Sequence, residues 1–262
     1  MPLLFLDTSV QIQRILGSAP VRASIQHHLA LPAVTAVTCG YVLMEYQRSL
    51  IADFARVHRH CLASGSLREV LTWIASGPQS YRTRSLARMV QITALALGEE
   101  PSTSLVLARD LLEIYLRSIL LDRFHHDVTL LPDPIGCDLL VSGVRRQLNG
   151  AYTVAESCRK DLASCQLPEF LTAQHPRLQA VADHLANHPG VIKGQARVQR
   201  LLTDVLDDPR AALGQASCWP LGDIIIALQI PADAELWTLD SDYMPLATAL
   251  GFLLHQPNTD DA

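Results

Sequence analysis

The chain opens with an uninterrupted apolar run, residues 3–6, that stops at Asp7. Such a run reads as a short strand buried on both faces. Helical spacing follows over residues 11–16 and 21–29, divided by the break Gly17-Ser18-Ala19-Pro20. Residues 32–37 read as a second short strand. A helix from Gly40 then places Val42, Glu45 and Tyr46 near one face. Three-and-four spacing predicts helices over 50–62, 66–74, 81–97 and 102–124. Ser66-x-x-Glu69 reads as a capping box and Pro101-Ser102 as a helix entry. After a connector over 125–134, the pattern predicts helices over 137–148 and 154–165, turning at Asn149-Gly150, and another over 198–206. Near the end, 224–230 reads as a compact apolar helix and 235–239 as a strand that stops at Asp240. A helix over 244–250 follows. Strand, carboxylate, turn, helix thus occurs at both ends of the chain. That alternation suits a parallel α/β sheet, whose ligand sites gather at the carboxyl ends of strands.

Composition narrows the picture. Of 262 residues, 49 % are apolar and 18 % charged, which supports a filled core and argues against disorder. A formal charge of -5 excludes a global basic field of the kind that advertises nucleic acid, although a local basic groove remains compatible with it. The N-terminal run is too short for a signal peptide and ends in an acid. No uncharged stretch reaches the roughly 18 residues of a membrane span, so a cytoplasmic protein with no membrane contact is expected. Six scattered cysteines without Cys-x-x-Cys read mostly as buried thiols. Cys158 and Cys165, two helical turns apart, are expected to share a face.

Four acids stand out by context. Asp7 and Asp240 each follow an apolar strand, Asp223 opens a helix after Leu221-Gly222, and Glu45 sits among apolar neighbours. If the two strands are parallel and adjacent, Asp7 and Asp240 share an edge. Carboxylates gathered in one place need a counter-charge, and a hard divalent cation, Mg²⁺ or Mn²⁺, supplies one through oxygen ligands. Such a site suits attack of water on a phosphodiester. Thr8, Ser9 and Ser241 offer hydroxyls that would orient ligands or water. Each acid also has an ordinary reading. Asp7 and Asp223 are well placed as helix caps, Asp242 as an exposed cap, and Glu45 could simply pair with Arg48 one turn on.

At these residues the chain resembles the PIN-domain nucleases, whose best-known members are VapC-type toxins of toxin–antitoxin pairs. The matching pieces are LLFLDTSV, TAVTCGYVLMEYQRS, LGDIIIALQI and ELWTLDSDY. The resemblance implies a PIN-like parallel sheet flanked by helices. It implies Asp7, Glu45, Asp223 and Asp240 as catalytic ligands of Mg²⁺ or Mn²⁺, with Asp242 auxiliary and Thr38 among the polar neighbours. It also implies an endoribonuclease acting on single-stranded RNA. The matching pieces cover roughly residues 1–60 and 215–255. Residues 1–64 and 201–262 are therefore expected to form a discontinuous PIN-like domain. Residues 65–200 then read as a large all-α insertion between the second and third acidic motifs, part of which completes the fold with a strand that the pattern does not locate. An insertion of this size departs from compact members and weakens the toxin analogy while leaving the metal-site analogy intact. The insertion would select substrate, bind a protein regulator or antitoxin-like partner, or join protomers into a homodimer.

Arg48 and Arg56, with Arg59, follow Glu45 on one helix and would contact an RNA backbone, or form a solvated face. Arg82, Arg84 and Arg88 beside Tyr81 admit the same two readings. Among the histidines only His184 and His188 have useful helical spacing for a shared ligand. GxGxxG, GxxxxGK[ST], GxSxG and His-Glu-x-x-His are all absent. The alternative function is a PIN-like scaffold or binding module, weak in catalysis, whose insertion recruits a protein.

Overall fold

The computed structural model describes residues 3–77, 81–96, 101–137, 139, 144–155, 158 and 165–255. Five strands form one sheet: β1 (Leu3–Leu6), β2 (Thr35–Thr38), β3 (Thr129–Leu130), β6 (Ala234–Trp237) and β7 (Leu253–Leu254). All are parallel, in the order β3-β2-β1-β6-β7. Phe5 lies opposite Val37 on one side and Leu236 on the other, and Leu6 lies opposite Trp237. Side chains alternate across the pleat. Leu4 and Leu6 join Ala36, Trp237, Val10, Ile25 and Leu29 in one cluster, while Phe5 joins Val37 and Leu236 in the other. The central strand is therefore covered on both faces, which explains a continuous apolar run in place of an alternating one.

Helices α1 (Thr8–Leu16) and α2 (Ala19–Leu29) carry the chain from β1 to β2. Asp7 caps α1 and Ser18 caps α2. After β2, α3 (Gly40–Tyr46) passes through a π-turn (Gln47–Ile51) into α4 (Ala52–Ala63). Four more helices follow: α5 (Leu67–Ser76), α6 (Tyr81–Ala96), α7 (Pro101–Ile114) and, beyond a second π-turn (Tyr115–Ile119), α8 (Leu120–His125). At α5 the Glu69 amide donates to Ser66 Oγ at 3.3 Å. The Glu69 carboxylate takes the Gly65 amide, one residue before the position a capping box uses. The helices over 65–125 share one continuous core with the sheet: Leu86, Leu112 and Phe124 pack in the same cluster as Phe5 and Leu236.

Residues 65–200 are not all-α. They hold β3, which extends the sheet. At two residues it is too short for any hydrophobic period to reveal. They also hold an antiparallel hairpin, β4 (Val144–Arg146) with β5 (Tyr152–Val154), where helices are expected over 137–148 and 154–165. The hairpin turns at Asn149 and Gly150. Gly150 has φ +82°, a conformation that favours glycine, and the Asn149 side chain accepts from the Ala151 amide at 3.0 Å. Tyr152, Thr153 and Val154 are strand formers whose preference prevails over the short apolar spacing. Most of the expected helix from residue 154 to 165 lies outside the described residues, as does the segment that would align Cys158 with Cys165.

The chain returns through α9 (Leu167–Ala173), α10 (His175–Asn187), α11 (Gln195–Asp207) and the short α12 (Gln215–Cys218) to α13 (Gly222–Leu228). α14 (Tyr243–Leu250) follows β6. Among the described residues, no helix is long and apolar enough to cross a membrane.

Candidate functional site

Asp7 leaves the carboxyl end of β1 in extended geometry and is only 3 % exposed. Its Oδ2 accepts from the Ser9 amide at 3.2 Å, Ser9 Oγ at 2.7 Å and Thr238 Oγ1 at 2.9 Å. Its Oδ1 accepts from the Tyr243 hydroxyl at 3.1 Å. Capping of α1 is thus real, but only Ser9 serves it. Thr238 and Tyr243 reach the same carboxylate from beyond the neighbouring strand. Ser9 Oγ also accepts from the Leu239 amide at 2.9 Å, which binds the start of α1 to the loop after β6.

Glu45 comes from the last turn of α3. Its Oε2 accepts from Thr8 Oγ1 at 2.9 Å, and its Oε1 lies 3.0 Å from the Arg48 guanidinium. Burial pushes the Glu45 carboxyl above the usual range and Asp7 adds to it, while Arg48 and Thr8 act the other way. Arg48 itself lies over the Trp219 ring, 4.1 Å from its centre. Gly222, at the start of α13, is pressed against this carboxylate: a Cβ there would stand 2.6 Å from Glu45 Oε1. Tyr41 of α3 fixes the approach by donating to the Cys218 carbonyl at 2.9 Å.

Asp223, beside Gly222 in the first turn of α13, accepts no hydrogen bond among the described residues. Burial pushes its carboxyl up to about 8. Glu45, Asp7, Asp240 and Asp242 add to the shift in that order. Both causes favour the protonated form of this side chain. The acids from β1, α3, α13 and the loop after β6 therefore share one electrostatic neighbourhood at the carboxyl edge of the sheet.

Asp240 lies farther along its loop than a strand-end reading places it. Thr238 occupies the position beside Asp7, because Leu6 pairs with Trp237. Asp240 Oδ1 accepts from the Asp242 amide at 3.1 Å, and the Asp240 amide donates to Thr238 Oγ1 at 3.0 Å. Asp242 does not cap α14 through its side chain and is not exposed. It faces Lys193, whose Nζ lies 3.4 Å from Asp240 Oδ1 and 3.8 Å from Asp242 Oδ2.

The remaining expected residues divide. Thr38 is fully buried and donates to the Leu6 carbonyl at 2.9 Å, so it fixes the strand end from which Asp7 projects. Ser241 is exposed, with no side-chain bond among the described residues. Arg56 pairs with Asp53 at 2.9 Å, beside Arg82 at 3.3 Å, in a network apart from the acids. The Tyr81 side chain lies outside the described ones.

No family model, curated protein or solved structure matches this chain.

Sequence reasoning misses four residues of this site. Thr238 and Tyr243 hold Asp7, Gly222 admits Glu45, and Lys193 arrives from the long central stretch. A hydroxyl two residues before Asp240 and a tyrosine directly after the DSD triplet are the only sequence signals, and neither declares a partner. Among the described residues, no group of three or more His, Cys, Asp or Glu side chains closes around a metal position. The donor chemistry nonetheless fits a hard cation. Glu45 and Asp223 are crowded oxygen donors, and Arg48 is the only cation paired directly with either of them among the described residues. Asp7 has one further lone pair on Oδ1.

Proposed function

We propose that this chain is a metal-dependent phosphodiesterase of PIN type that cleaves single-stranded RNA. The supporting observation is the meeting of three distant segments at one sheet edge. Thr8 beside Asp7 bonds Glu45, and Glu45 in turn packs against the glycine preceding Asp223. Asp7, Glu45, Asp223 and Asp240 are the residues assigned to hold Mg²⁺ or Mn²⁺. When bound, the cation would offset their charge, activate water and stabilise the phosphoryl oxygens. The chain's own residues do the rest. Ser9, Thr238 and Tyr243 keep Asp7 in place, and Thr8 and Arg48 keep Glu45 in place. Asp223 would release its proton to serve as a ligand of such a cation. Arg48, partly buried between Glu45 and Trp219, is assigned to the RNA backbone.

The deciding experiment is cleavage of single-stranded RNA in Mn²⁺ by wild type, Asp7→Asn and Asp223→Asn. Activity lost in both variants with fold retained is the expected result. Equal cleavage by all three assigns the activity to a contaminant.

A second reading, a PIN-like binding module weak in catalysis, is favoured by Asp7 having both oxygens engaged and by Lys193 sitting against Asp240 and Asp242. Calorimetric titration with Mn²⁺ separates the two. Failure to bind the ion more tightly than about 1 mM favours the module.

A further inference from the structure

A cleft lies away from the acids. α1 starts beside them at Thr8 and carries Arg14 six residues on, about 9 Å along its axis. There Arg14 joins Arg22 of α2 and Arg123 of α8 around a cleft of about 610 Å³. Met89, Tyr115 and Ile119 supply its apolar wall. Tyr115 and Ile119 bound the second π-turn, a type of helix irregularity frequent at functional sites. No Asp or Glu among the described residues lines the cleft.

Arg14 is the unusual member. It is only 8 % exposed, yet among the described residues its guanidinium donates to neutral acceptors alone: Gln11 Oε1 at 2.8 Å, the Phe124 carbonyl at 3.4 Å and the His126 carbonyl at 2.6 Å. These use three of its five N–H groups. Burial disfavours the charge and Arg123 repels it. Asp127 attracts Arg14 across the turn, but its carboxylate is already engaged by Gln26 and His126. A guanidinium stays charged in proteins, so burying one without a dedicated carboxylate is costly unless an anion arrives from solution. Arg22 and Arg123, both exposed on the same cleft, have the fork geometry that suits phosphate. The volume lies within the roughly 300–1,000 Å³ typical of small-molecule pockets.

We infer that this cleft binds a phosphate-bearing small molecule of mononucleotide size, its phosphate held by Arg14, Arg22 and Arg123 and its body packed on Met89, Tyr115 and Ile119. The site is independent of the acids and of their metal.

Calorimetry in EDTA keeps divalent ions from recruiting phosphate to the acids. The probes are adenosine 5′-monophosphate, ribose 5-phosphate, inorganic phosphate and adenosine. The phosphorylated probes are expected to bind and adenosine is not. Tighter binding of the nucleotide than of phosphate is expected from the apolar wall, and equal binding overturns the assignment of that wall to the body of the ligand. Arg22→Ala/Arg123→Ala should weaken binding at least about tenfold, the loss expected for two charge-assisted contacts, with the fold retained although Arg22 also donates to the Gly17 carbonyl at 2.6 Å. Asp223→Asn should leave it unchanged. Binding of no phosphorylated probe below about 1 mM overturns the inference. So does binding that survives the double arginine variant, or adenosine binding as well as its monophosphate.

Discussion

Tyr243 donates its hydroxyl to Asp7 Oδ1 at 3.1 Å, joining residues 236 positions apart inside the core. Both are buried, so the bond forms where water cannot replace it. Tyr243→Phe removes the donor and leaves the acceptor without that partner. The expected loss is about 1–3 kcal/mol, read from urea unfolding. A cost near zero would show that Thr238 and Ser9 hold Asp7 unaided.

Gly222 leaves room for Glu45 that a side chain would fill. In Gly222→Ala the new methyl would meet Glu45 Oε1, which Thr8 and Arg48 already hold from other sides. The variant should lose about 1–3 kcal/mol, the usual cost of overpacking. Truncating Glu45 to alanine in the same chain should recover most of it, so the two changes are expected to be strongly non-additive. Simple additivity in a double-mutant cycle would mean that the glycine serves only the backbone.

Much of this neighbourhood is legible in the sequence because its elements repeat a local pattern. LLFLD and ELWTLD announce two buried strands delivering carboxylates, and the strands do lie parallel and adjacent. What the pattern does not carry is register. Thr238, not Asp240, stands beside Asp7, because the pairing is set by long-range packing of Phe5 and Leu236. Lys193 is invisible for a related reason. A lone lysine in an irregular loop has no period, and the packing of α10 against α14 brings that loop near Asp240. The hairpin at 144–154 is misread as helix because apolar spacing over a few residues suits either structure. Its turn residues, Asn149 and Gly150, are the better signal.

Lys193 pairs with Asp240 and Asp242 at the edge of the acidic group. Its ion pairs with Asp240 and Asp242 are exposed on the lysine side and screened by salt, so Lys193→Ala should leave the melting temperature nearly unchanged. On the metal-site reading, the same change should tighten Mn²⁺ binding, by less than about tenfold, because one screened competitor is removed. The gain should shrink as ionic strength rises. Weaker Mn²⁺ binding in the variant would instead make Lys193 a support of the acidic loop.

Asp223 contributes a pH dependence to stability. Its carboxyl moves from 3.8 to about 8 on folding, so the folded chain keeps a proton that the unfolded chain releases. A raised acid contributes its full stabilisation below 3.8 and loses it progressively as pH rises to about 8. Glu45, also raised by burial, acts in the same direction. Asp223→Asn keeps the shape of the protonated acid and cannot ionise, so it escapes the loss at high pH. Urea midpoints of the variant should therefore exceed those of wild type most at pH 8–9, with the difference closing toward pH 4. Mn²⁺ should oppose the wild-type loss, because a bound cation replaces the proton. Calorimetry at pH 7 in buffers of different ionisation enthalpy should then register proton release of up to about one per ion. A wild-type stability profile parallel to that of Asp223→Asn across this range would place the proton on another group.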